Sequence, residues 1–83
     1  MARPVTSSSP RTEAARSEAD SLYSAAYTDY LSANYGLAIG SFQDYLRLFP
    51  DADLADNAQY WIGESHYSLQ QYQLARTAFM DIV

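Results

Sequence analysis

From Asp20 onward the apolar residues recur at helical spacing. Tyr23, Tyr27, Tyr30 and Leu31 fall at i, i+4, i+7 and i+8, with Leu22, Ala25 and Ala26 beside them. Leu37, Ala38, Ser41, Phe42 and Tyr45 repeat the arrangement. So do Ala58, Ile62 and His66, and then Leu74, Ala75, Ala78, Phe79 and Ile82. Side chains three and four apart share one helix face, so each run predicts an amphipathic helix. No stretch alternates apolar and polar residues long enough to predict a strand. The spacing predicts four helices over about 12–32, 35–48, 54–69 and 72–83.

Local punctuation agrees. Ser9 before Pro10 suits an N-cap with Pro at the first helical position, with Ser17 as a rival start. Asn34 can cap the second helix. Pro50 pushes Phe49 out of the α region and stops it. Asp53, with Asp56 three residues on, is placed to start the third helix at its positive end. Leu69-Gln70-Gln71 is a short break before the fourth.

Sliding the chain by 37 residues exposes a duplication. Tyr23 meets Tyr60, Tyr30 meets Tyr67, Tyr35 meets Tyr72, Leu37 meets Leu74, Ala38 meets Ala75, Phe42 meets Phe79 and Asp44 meets Asp81. These are seven identities in the 27 pairs from Asp20 to Leu46, where chance gives roughly two. Each unit is a two-helix hairpin. Small residues at Ala26/Gly63 and Ala38/Ala75 let paired helices approach, and Phe42/Phe79 fill the space between them. One such hairpin cannot hide its apolar face, so the units must stack.

Composition narrows the chemistry. Ten Asp plus Glu against five Arg and no Lys give a net charge of −5, which disfavours nucleic acid or an anionic membrane as partner. There is no Cys and a single His, so thiolate and multi-histidine metal sites are excluded. No cofactor or metal is expected. Asp51, Asp53 and Asp56 lack the Gly and terminal Glu of a calcium loop, and Gly36, Gly40 and Gly63 make no phosphate loop. Residues 1–11 read as a flexible leader, without the apolar run of a secretory signal.

The repeat resembles a family. Ala26, Ala38, Phe42 and Pro50 in one unit, and Ile62-Gly63, Ala75 and Phe79 in the next, resemble the tetratricopeptide pattern, whose usual period is about 34 residues. The stretch Leu54–Tyr67, LADNAQYWIGESHY, preceded by FPDAD, is similar to the tetratricopeptide domain of the Tol-Pal system protein YbgF family, also called cell division coordinator CpoB. Asp29 stands where that family has an apolar residue, and His66 where it has Tyr. The resemblance implies an all-α fold, about two tetratricopeptide hairpins in an open right-handed solenoid over 12–83, as a fragment of a longer array. It implies a non-catalytic, periplasmic interaction module that contacts a TolA-like protein and a peptidoglycan synthase, linking outer-membrane constriction to wall synthesis in division. The alternatives are an outer-membrane assembly lipoprotein of the BamD type and a generic scaffold segment. An uncovered last helix also implies a marginal or self-associating chain.

In tetratricopeptide proteins the first helix of each hairpin lines a groove. The resemblance therefore puts Asp20, Tyr23, Tyr27, Asn57, Tyr60 and Glu64 at a partner-binding surface. Tyr suits binding because it offers broad apolar contact and a polar tip; the same residues can equally serve helix packing, which is the first reading for Tyr30 and Tyr67. Trp61 is expected to pack between the repeats. Asp29 and His66 are expected to point inward, where a buried pair or an acid–base dyad is conceivable.

Overall fold

Helix starts and stops follow the chain's own signals, with two exceptions. The computed structural model describes residues 10–82, with side-chain surroundings from Glu13 on. Among these residues the chain forms α1 (Pro10–Leu31), α2 (Tyr35–Leu48), α3 (Ala55–Ser68) and α4 (Tyr72–Met80), and no strand. Pro10 opens α1, where its missing N–H leaves nothing unsatisfied; Ser9 and most of the proposed leader lie outside the described residues. Phe49, ahead of Pro50, leaves the helical region at φ −132°, and its N–H still closes on the Tyr45 carbonyl. The first exception is Asp53. The cap position of α3 is Leu54, without a side-chain cap bond, because backbone bonds from Ala52 to the Phe49 carbonyl and from Ala55 to the Ala52 carbonyl carry the turn. The second is Asn34, which occupies the cap position of α2 but makes no side-chain bond there.

Both tight reversals have one design. Ala33 and Gln70 take positive φ, 64° and 63°. The Asn34 N–H reaches back to the Asp29 carbonyl at 2.8 Å, and the Gln71 N–H to the His66 carbonyl at 2.9 Å. The Ala33 N–H bonds to the Tyr30 carbonyl and the Gln70 N–H to the Tyr67 carbonyl, at 3.0 and 2.9 Å. This pairing is the Schellman arrangement, which satisfies the last helical carbonyls and normally favours Gly at the positive-φ residue. Every one of these partners is displaced by 37 residues from its counterpart.

Packing repeats with the same displacement. Tyr23 meets Phe42 with ring centroids 5.4 Å apart, and Tyr60 meets Phe79 at 5.7 Å. Tyr30 and Tyr35 stand edge to face at 5.6 Å and 66°, Tyr67 and Tyr72 at 5.2 Å and 64°. Ala26, Ala38, Phe42 and Ala58 are fully buried, with Tyr45, Ile62, Ala75 and Ala78 nearly so. Small residues thus face the seam, and the aromatic rings fill it. Helices adjacent in sequence pack along their lengths, whereas α1 meets α3 only lightly. The stripe misassigns three large residues: Leu31, Leu37 and Leu74 are exposed, because the seam-facing positions beside them belong to Ala and aromatic residues. On α4, Tyr72 and Met80 are open as well.

Gly63 and Ser65 mark the tight part of α3. A Cβ at Gly63 would lie 2.6 Å from Phe79 Cδ1 and 2.8 Å from its Cζ, well inside contact distance. Ser65 is wholly buried, and its Oγ has no hydrogen-bond partner among the described residues. Gly63→Ala should therefore lower unfolding stability by about 1–3 kcal/mol. Ser65→Ala should raise it by about 1 kcal/mol, since it removes a desolvated hydroxyl and improves helix propensity. Urea unfolding followed by circular dichroism measures both.

Candidate functional site

A ridge of rings runs from α1 to α3. Tyr23, Tyr27 and Tyr30 are spaced by four and three residues, so they share a face of α1. Tyr27 lies 6.5 Å from Tyr23 and 6.3 Å from Tyr30, with near-parallel planes. Trp61 of α3 closes on this row, 5.1 Å from Tyr27 and 4.9 Å from Tyr30. Its indole N–H donates to the Tyr23 hydroxyl at 3.0 Å. Tyr60 continues the ridge, 5.0 Å from Trp61. Trp61 thus packs between the hairpins, as its position in the repeat implies.

Glu64 completes the patch. It lies one turn beyond Tyr60, on the same face of α3. Interaction with the Glu64 carboxylate raises the Tyr60 pKa above the ordinary phenol value. Burial raises Tyr30 as well, and the Glu64 charge adds to it, so this one carboxylate acts on both helices. Glu64 is half-buried and Tyr60 is 42% exposed.

The six residues expected at the surface divide. Tyr27, Tyr60 and Glu64 belong to the ridge. Tyr23 joins it through Tyr27, but its ring is wedged against Phe42 and Tyr45, the latter at 5.5 Å. Asp20 lies elsewhere: with Arg16, Tyr45, Asp51 and Asp53 it lines an open cleft of about 780 Å³ between α1 and the 48–54 segment. Burial raises the Tyr45 pKa, and Asp20 and Asp53 add to the shift. Asn57 is exposed on α3. Two members, Tyr30 and Trp61, stood outside the sequence-derived set. Their signal was the contact row itself, which needs the crossing of α1 and α3.

Asp29 and His66 do not meet. They are equivalent positions in successive hairpins, both half-buried, and the His66 Nδ1–H donates to Gln71 Oε1 at 2.8 Å. The expected pair is replaced by a local contact within the second reversal. Among the described residues no group of His, Asp and Glu is gathered to hold a metal ion, and no helix is long and apolar enough to cross a membrane.

The raised phenols set the alkaline behaviour. A phenol held neutral by the fold contributes stability that is complete below about pH 10 and is lost as pH rises through its folded pKa. Phenolate absorbance should show Tyr30, Tyr45 and Tyr60 ionising late in the folded chain. Glu64→Gln should bring Tyr30 and Tyr60 to lower pH and leave Tyr45 unmoved.

No family model, curated protein or solved structure matches the chain.

Proposed function

We propose that this chain is a non-catalytic protein-interaction module built of two tetratricopeptide-type hairpins in an open right-handed array, and that the α1–α3 ridge receives a segment of its partner. The observation that carries this is the continuous, partly open row Tyr23–Tyr27–Tyr30–Trp61–Tyr60 with Glu64 beside it. Tyr and Trp are the side chains that most often dominate binding energy, because they offer large rigid area with a polar edge. The ridge crosses both hairpins, so an extended segment could touch both at once. The 37-residue repetition of reversals and ring pairs supports the hairpin assignment.

By the likeness of Leu54–Tyr67 to the YbgF/CpoB pattern, the parent protein works in the periplasm. There it contacts a TolA-like protein and a peptidoglycan synthase and couples outer-membrane constriction to wall synthesis during division. The acidic surface favours basic segments of such partners.

The double variant Tyr60→Ala, Glu64→Ala should weaken binding of the isolated TolA-like domain by about tenfold or more, with helicity retained. Titration calorimetry beside circular dichroism reads both. Unchanged affinity in a folded variant would remove the ridge as the binding surface.

A further inference from the structure

The ridge has a feature that its aromatic content alone does not explain. A half-buried carboxylate stands at the edge of the row of rings, and among the described residues no cation pairs with it. Tyr27, Tyr30, Trp61 and Tyr60 form the contiguous group, with Glu64 at its edge. The rings do not share a plane: Trp61 is tilted 56° to Tyr27 and 48° to Tyr30, and Tyr60 stands at 73° to Trp61. The ring planes therefore differ in orientation along the ridge.

The three arginines whose side-chain surroundings are described lie elsewhere. Arg47 pairs with Asp44 at 3.2 Å on α2. Arg16 lines the cleft beside Asp20, and Arg76 lines the apolar groove along α4. Among the described residues none pairs with Glu64, and the sequence has no Lys. A carboxylate taken partly out of water gains from a cationic partner, and aromatic faces attract the same cation through their quadrupoles. A guanidinium fits both demands. It is planar, weakly hydrated, stacks on rings and donates two parallel N–H bonds to a carboxylate, whereas an ammonium does only part of this.

We infer that Tyr27, Tyr30, Tyr60, Trp61 and Glu64 form a subsite for one arginine side chain of the partner segment. This rests on the ridge being the binding surface and adds what that surface selects. The guanidinium stacks against the ring faces, and Glu64 accepts its N–H groups.

Trp61 is the chain's single Trp, so its fluorescence and its indole N–H resonance report this site alone. The probes are short, otherwise neutral peptides that carry one arginine, one lysine or one citrulline, citrulline being the uncharged isostere. The arginine peptide should move the Trp61 signals saturably. It should bind about tenfold more tightly than the citrulline peptide, with lysine between them. Glu64→Gln should erase the preference for arginine over citrulline. Equal binding of the two peptides, a preference that survives Glu64→Gln, or a Trp61 signal that no peptide moves would each overturn the inference. The TolA-like domain separates this from the underlying surface. Binding lost with Tyr60→Ala but kept with Glu64→Gln would overturn the cation subsite and leave the ridge standing. Binding kept in both would overturn the two together.

Discussion

The indole of Trp61 lies between the two hairpins, and most of what distinguishes this molecule follows from where it sits. It reaches from α3 onto the Tyr row of α1 and hydrogen-bonds the Tyr23 hydroxyl. Elsewhere α1 and α3 barely touch, so this contact supplies much of the direct link between them. A satisfied indole N–H in a half-buried site contributes about 1 kcal/mol, and the ring contacts add about 0.5–1.5 kcal/mol each beyond their buried area. The same contact brings Tyr60 and Glu64 alongside Tyr30, and so builds the candidate surface.

Around that contact the structure repeats a single unit. A buried small residue on the first helix, Ala26 or Gly63, occupies the same register in each, and a Tyr on that helix meets a Phe on the second, Tyr23 with Phe42 or Tyr60 with Phe79. The unit then turns back through a residue at positive φ. Neither Ala33 nor Gln70 is the Gly such a turn prefers, so each reversal carries some local strain. The six-residue hydrogen bonds to Asp29 and His66 hold the turns in place. These bonds use the backbone carbonyls of Asp29 and His66 and so do not depend on the identity of their side chains.

The two hairpins are equivalent in pattern but not in burial. Phe42 is fully enclosed, because α3 covers the first hairpin. Phe79 is only half-buried, and Tyr72, Leu74 and Met80 lie open along α4. The same residue types at the same register therefore have different surroundings, set by what stacks on them. In the second hairpin Phe79 presses directly over Gly63.

Helix number and order, most helix ends, the 37-residue duplication and the small-against-aromatic seam were legible in the chain, whereas the fourth helix, expected to about 83, ends at Met80. Each depends on contacts three or four residues apart or on a spacing that duplication preserves. What the chain could not reveal depends on the angle at which α1 and α3 cross. That angle sends Trp61 toward Tyr27 and Tyr30, draws Tyr23 into the core, and parts Asp20 from Glu64. It also leaves Leu31, Leu37 and Leu74 in water although their periodicity matches the core. A helical stripe fixes which residues share a face, but only the neighbouring helix decides which edge of that face is covered.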